Sequence, residues 1–141
     1  MTDVSPFRLW LMRAVYLLMA AGLGLTIWPR ILSHGADLPH MTGIVFALLG
    51  TIGLLALLGV RYPLQMIPLL LFELAWKALW LVAFALPRWL DGNLDAAMRS
   101  SVLDTSLGLV LLVVIPWRYV WARYVVRPAD PWTIRRAATA T

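Results

Sequence analysis

The sequence MTGIVFALLGTIGLLALLGV, residues 41–60, is an apolar block without a single charged side chain. A helix needs about 20 such residues to cross roughly 30 Å of hydrocarbon. A transmembrane β-strand would alternate apolar and polar residues with a period of two, and this block does not. Because a helix satisfies all the backbone donors and acceptors of such a segment in lipid, we predict a membrane-spanning helix here.

Three more apolar blocks accompany this one, at about residues 7–28, 64–86 and 101–121. A cleaved signal peptide is the alternative for the first block, but its apolar region would be only about 7–15 residues long. The first block is longer and ends in Trp28-Pro29-Arg30, a poor cleavage site. We therefore predict an all-α integral membrane four-helix bundle over residues 1–126, followed by a basic tail over residues 127–141.

The composition supports the same class. Hydrophobic residues make up 62% of the chain and charged residues 13%, whereas soluble domains carry about 25% charged residues. The net charge is +5, but the basic residues flank the apolar blocks, which favours lipid headgroups over nucleic acid as the partner. The chain has no cysteine, so it forms neither a disulfide nor a thiolate metal site.

The distribution of arginine predicts the orientation. With four crossings, the amino terminus, the link between the second and third helices and the carboxyl tail share one side. That side holds eight arginines: Arg8, Arg13, Arg61, Arg118, Arg123, Arg127, Arg135 and Arg136. The other side holds three: Arg30, Arg88 and Arg99. By the positive-inside rule we predict that both termini are cytoplasmic, in a bacterial inner membrane.

The third block contains charged residues, in the stretch Phe72-Glu73-Leu74-Ala75-Trp76-Lys77. Counted from Leu64, Glu73 lies about 14 Å along the helix, near the bilayer centre. Charged residues at this depth normally face protein or a water-filled cavity. Glu73 and Lys77 are also in the favourable order for an ion pair one helical turn apart.

We expect these residues to form a polar and aromatic stripe that points into the bundle. Its members are Gln65, Glu73, Trp76, Lys77 and Trp80. The functional hypothesis is a proton-relay carboxylate or a pocket between indole rings for a hydrophobic ligand. The structural hypothesis is a neutralised pair that orients the helix. Intramembrane ionisable residues are functional candidates by default, but a pair on one helix needs no external ion.

Asp104 has two interpretations. It could pair with Lys77, since both lie toward the outer half of the membrane. Alternatively, Ser101 and Asp104 form a capping box that opens the fourth helix, where a carboxylate suits the positive helix end. The two roles are compatible.

Small residues follow one face of the second block: Gly43, Ala47, Gly50 and Thr51. Small side chains four residues apart let membrane helices approach closely. They predict helix packing, within the bundle or between copies of the chain. His34 and His40 do not have a helical metal-ligand spacing and lack further ligands. We find no motif for a catalytic residue, a cofactor or a metal, so an enzyme is disfavoured.

Three stretches carry a resemblance to a known group: Arg61-Tyr62-Pro63-Leu64-Gln65-Met66, Phe72-Glu73-Leu74-Ala75-Trp76-Lys77 and Ile115-Pro116-Trp117-Arg118-Tyr119-Val120-Trp121. They resemble a family of small bacterial four-helix membrane proteins without an established activity. The topology is also similar to that of DoxX-like proteins. The resemblance implies location and topology. Small multidrug transporters have a similar length, but their essential glutamate is in the first helix, where this chain has no acid.

Three functions remain open from the sequence. The first is a structural or interaction subunit that docks on a larger membrane complex or self-associates. The second is a small transporter or channel that uses the Glu73–Lys77 pair. The third is a binder of a lipid- or quinone-type hydrophobic ligand at the wall formed by Trp76 and Trp80.

Overall fold

The computed structural model describes residues 4–129, and in this range the chain is helical without a β-strand. Four helices are long and apolar enough to cross a membrane: α1 (Pro6–Asp37), α2 (His40–Arg61), α3 (Ile67–Leu90) and α4 (Ala96–Val114). A shorter helix, α5 (Trp117–Trp121), follows them. The predicted all-helical fold with four long apolar helices is confirmed. Residues 130–141, most of the predicted basic tail, lie outside the described residues.

The first two helices pack closely because α2 presents small residues to α1. The ring of Tyr16 lies directly on the Cα of Gly59, where a Cβ would overlap three of its ring carbons. The Tyr16 hydroxyl donates a hydrogen bond to the Pro63 carbonyl, 3.2 Å away, in the link that follows α2. Near the other end of the contact, the indole of Trp28 donates to the Gly50 carbonyl at 3.3 Å.

The line of contact on α2 differs from the predicted one. The residues that α1 covers are Gly50, Gly53, Ala56 and Gly59, and all four are buried. Of the predicted set Gly43, Ala47, Gly50 and Thr51, Gly50 packs against α1. Ala47 and Thr51 are exposed, and a Cβ at Gly43 would meet nothing within 4 Å. The buried small residues of α2 are therefore spaced three apart rather than four.

The hydrophobic core lies at one end of the bundle. It joins the first half of α1, the second half of α2, the start of α3 and the end of α4. Its most deeply buried side chains are Met12, Tyr16, Ile67, Leu70, Val114 and Ile115. By contrast, the first part of α4, Ala96–Ser106, contains no buried residue. The bundle is therefore tightly packed at the end that holds the α2–α3 link and open at the other end, between α3 and α4.

The third helix begins and ends later than the apolar block suggests. Tyr62 to Met66 form a turn, so α3 begins at Ile67. It continues past Pro87 because the five residues Leu81–Ala85 form a π-helical turn, in which Leu86 donates to the Leu81 carbonyl. The wider turn makes room for a proline that removes one ladder hydrogen bond and would clash with the preceding turn of an α-helix.

The link to α4 is a defined turn. Gly92 has a positive φ of 70°, and its N–H donates to the Trp89 carbonyl at 3.1 Å, while Asn93 donates to the Arg88 carbonyl at 2.9 Å. These two bonds form the Schellman motif, in which a glycine takes the left-handed conformation that ends the helix. Asn93, Leu94 and Asp95 then lead into α4.

The predicted capping box at Ser101 and Asp104 is wrong. The helix begins at Ala96. Its N-cap is Asp95, six residues before Ser101, and the Asp95 side chain accepts a hydrogen bond from the Met98 N–H at 2.7 Å. Asp104 lies inside the helix and is exposed. The apolar block suggested the later start because Arg99, Ser100 and Ser101 separate it from the first residues of α4, although all of them lie in the same helix.

We expect Asp95→Ala to destabilise α4, because an N-cap carboxylate satisfies an otherwise unpaired backbone donor. Loss of such a cap costs about 1 kcal/mol. The matched control is Asp104→Ala, which removes the same side chain from the helix interior. Chemical denaturation in detergent should show a lower stability for the Asp95 variant only. An equal loss in both variants would contradict the assignment of the cap.

The predicted fourth segment, residues 101–121, is interrupted. Ile115 has extended backbone angles and Pro116 separates α4 from α5. Proline leaves the Leu112 carbonyl without its usual backbone donor, and the indole N–H of Trp117 donates to it at 2.7 Å. The Arg8 guanidinium, from the start of α1, donates to the Val113 carbonyl at 3.2 Å. Side chains thus satisfy the carbonyls that the break exposes.

Candidate functional site

The candidate site is the charged stretch of α3. Glu73 is 3% exposed and is the only buried charged side chain within residues 4–129. Its Oε2 atom forms an ion pair with the Lys77 ammonium one turn further along the helix. The spacing of four residues places both side chains on one face of α3, with the carboxylate nearer the helix start, which is the favourable order.

Lys77 is held from two sides. Its ammonium lies 4.7 Å from the centroid of the Trp76 ring, a cation–π contact. Its aliphatic chain crosses α4 at Gly108, where a Cβ would collide with the lysine Cδ and Cε atoms. Gly108 belongs to the segment Leu107–Val110, in which α4 narrows to a 3₁₀ helix. The α3–α4 crossing is therefore built around the lysine side chain.

Gly108 is the residue of this site that the sequence analysis missed. It stands between Leu107 and Leu109 in an apolar block, where glycine is common in membrane helices. The signal was the glycine itself, because a small residue lets a long side chain of a neighbouring helix pack closely against the backbone. Its position on α4 could not be matched to Lys77 without the true start of that helix.

Two polar atoms of the site have no hydrogen-bond partner among the described residues. They are Oε1 of Glu73 and the indole Nε1 of Trp76, and both are buried. The first accepts hydrogen bonds and the second donates one, and their residues are three apart on the same helix. A single hydroxyl group or water molecule that reached both atoms would satisfy them, since it accepts and donates at once.

The remaining predicted members of the stripe lie outside this arrangement. Gln65 is exposed in the turn before α3, not on the helix. Trp80 is half-buried on the same helix. Asp104 is exposed on α4, and within residues 4–129 the ion pair of Lys77 is with Glu73 alone. The structure thus brings together Glu73, Trp76 and Lys77 and leaves Gln65 and Asp104 apart.

Glu73 lies nearer the start of its helix than the sequence suggested. Six residues separate it from Ile67, which corresponds to about 9 Å along the axis. The predicted depth of about 14 Å assumed a helix from Leu64, but the first residues of that block form the turn. The charged pair therefore lies in the half of α3 that joins the packed end of the bundle.

The carboxylate of the site is shielded from solvent, and the lysine is partly exposed. The side chain of Glu73 is 4% exposed and that of Lys77 is 17% exposed. Among the described residues there is no group of three or more side chains that could hold a metal ion. His34, one of the two histidines considered from the sequence, is exposed and pairs with the Ser33 hydroxyl at 2.7 Å. The site is thus an enclosed ion pair with one unused acceptor and one unused donor.

Comparisons with models of protein families, with curated proteins and with solved structures found no match to this chain. The resemblance to small bacterial four-helix membrane proteins stays a prediction from the residues quoted above. The functional argument therefore depends on the geometry of the chain.

Proposed function

We propose that this chain is a structural or interaction subunit of a bacterial inner membrane, with both termini in the cytoplasm. The observation that carries the proposal is the enclosure of the Glu73–Lys77 pair. A carboxylate that relays protons or binds a cation needs a path to water, whereas this one is buried and neutralised on its own helix by Lys77, whose aliphatic chain packs on Gly108 of α4. Such a pair holds α3 and α4 in one relative position.

The location and orientation are supported by the arginine distribution together with the fold. The start of α1, the α2–α3 link and the end of α4 meet at one end of the bundle, where Arg8 donates to Val113. The sequence assigns eight of the eleven arginines to this end. The positive-inside rule places the end with more arginine and lysine in the cytoplasm. The aromatic residues of α5 suit the membrane interface.

The surface of α2 supports an interaction role. Ala47 and Thr51 are exposed, four residues apart, and Gly43 is open one turn earlier. These small residues are not used against α1, so the backbone of another helix can approach closely along them. A second copy of the chain and a larger membrane complex are the two partners that we propose for this surface.

The absence of cysteine from the sequence makes a direct test simple. A single Ala47→Cys substitution should allow cross-linking in native membranes, either to a second copy or to a partner. The matched control is Ala21→Cys, at an exposed alanine of α1. Cross-linking at Ala47 and not at Ala21 supports the proposal. Equal yields at both positions, or no product at Ala47, would refute the proposed surface.

A second function is favoured by one observation, the unpartnered Glu73 Oε1 and Trp76 Nε1. A transporter or channel would use this acceptor and donor for a proton or a hydrated ion, and a binder of a quinone-type ligand would place a polar group there. Proton or cation flux in proteoliposomes that is lost in Glu73→Gln, with folding retained, would replace the structural proposal by the transport one. Silence of the wild type would remove the transport function.

A further inference from the structure

A cavity lies away from the Glu73 site, at the open end of the bundle between α3 and α4. Its volume is about 620 Å³, within the range of cavities that hold a small ligand. The residues that carry the argument are Leu81, Ala85, Trp89, Arg99, Val102 and Leu103. Trp89 and Arg99 are exposed and supply its polar groups, and the other four are apolar. We call the part of the cavity next to these two residues its mouth.

The cavity follows the axis of α3 from the end of the helix inward. Eight residues separate Leu81 from Trp89, which corresponds to about 12 Å. One wall is the π-helical turn Leu81–Ala85, and the other is the loosely packed first half of α4. Trp89 is 65% exposed and Leu103 is 70% exposed, so the cavity is open at the surface of the bundle. In a membrane this opening faces lipid.

Arg99 is the one cation among the residues that line the cavity. Within residues 4–129, neither Arg99 nor Arg88 forms an ion pair, since the pair found there joins Glu73 and Lys77. The Arg88 guanidinium reaches across to α4, where its hydrogen-bond partner is the Met98 sulfur at 3.6 Å, a weak acceptor. The nearest acid along the helix, Asp95, is engaged by the Met98 N–H. An anion in the cavity would meet the Arg99 guanidinium, which forms no ion pair within residues 4–129.

We propose that this cavity binds an anionic phospholipid, with its phosphate at Arg99 and an acyl chain between α3 and α4. Arginine binds phosphate oxygens with strong charge-assisted hydrogen bonds. Trp89 lies beside it, and indole rings favour the headgroup level because one end is apolar and the other can reach water. The apolar walls below match the chain of a lipid and offer nothing to a soluble anion. The inference depends on the proposed membrane location, and the site is separate from Glu73.

The test uses the whole chain in mild detergent and native mass spectrometry with added phosphatidylglycerol or phosphatidylcholine. The wild type should retain phosphatidylglycerol preferentially, and Arg99→Gln should lower that affinity roughly tenfold. The matched control is Arg30→Gln. Arg30, in α1, is assigned to the same membrane face as Arg99, but its guanidinium lies over the ring of Phe46 in α2. Val102→Phe should fill the cavity and weaken binding of both lipids, with helix content checked by circular dichroism.

Each outcome bears on the proposal. Loss in Arg99→Gln but not in Arg30→Gln supports it. No preference in the wild type, or equal loss in the two arginine variants, overturns it. Glycerol 3-phosphate, a headgroup without a chain, should not compete; displacement of the lipid by this compound would indicate a soluble phosphate as the ligand instead. A chain that folds in buffer without detergent would refute the membrane location itself, which separates that failure from the failure of the lipid site.

Discussion

Gly59→Val is expected to destabilise the bundle by about 3 kcal/mol, the upper part of the range for overpacking a core. The ring of Tyr16 lies where a side chain at 59 would begin, and both residues are buried. The ring cannot swing aside freely because its hydroxyl is bound to the Pro63 carbonyl. Valine would therefore push α1 and α2 apart at the centre of the core.

The control for this prediction is Gly43→Val, on the same helix. A Cβ there meets nothing within 4 Å, so the substitution carries the same change in helix propensity without the overlap. Thermal unfolding in detergent should show a large loss of stability at 59 and a small change at 43. Adding Tyr16→Leu to the Gly59 variant should recover part of the lost stability, because the stability effects of substitutions at contacting residues are not additive. Equal effects at 43 and 59 would contradict the packing.

Glu73→Leu is expected to cost about 4 kcal/mol, because removal of one partner leaves an unpaired charge in the protein interior. Within residues 4–129 the ion pair of Lys77 is with Glu73 alone, so the variant removes the carboxylate that neutralises the ammonium. Its aliphatic chain is also fixed over Gly108. The double variant with leucine at both 73 and 77 should recover much of the stability, because the buried charge is then gone.

A double-mutant cycle measured by chemical denaturation in detergent checks this prediction. The exposed Asp104 of α4 provides the comparison, and Asp104→Leu should change stability little. Exchanging the two residues, Glu73→Lys with Lys77→Glu, should be partly tolerated if the pair is structural. A single Glu73→Leu variant as stable as the wild type would show that the pair does not hold the α3–α4 crossing.

Most of the candidate site could be predicted from spacing along one helix. Glu73, Trp76 and Lys77 are within four residues of one another, so the helical repeat alone places them on one face. The same reasoning failed for Gln65 because it assumed that the helix began with the apolar block, whereas Tyr62 to Met66 form a turn. Hydropathy locates apolar residues, and a helix begins where caps and turns end the previous segment.

The same distinction explains the error at α4. The start of α4 after Asp95 has no hydropathy signal because Arg99, Ser100 and Ser101 follow it closely. The break at Ile115 and Pro116 falls inside a continuous apolar and aromatic stretch. Composition also does not predict the π-helical turn before Pro87. In each case local hydrogen bonds, made or lost, set the helix boundary. The apolar content of the surrounding residues did not set it.

Composition and the order of residues were enough for four apolar helices and a charged pair on the third, because these follow from the length of hydrocarbon-compatible blocks and from the helical repeat. The partners across the bundle required the fold: Tyr16 on Gly59, Lys77 on Gly108 and Arg8 at the end of α4. Those contacts depend on the angle and register at which two helices cross, and side chains from distant parts of the chain set both together.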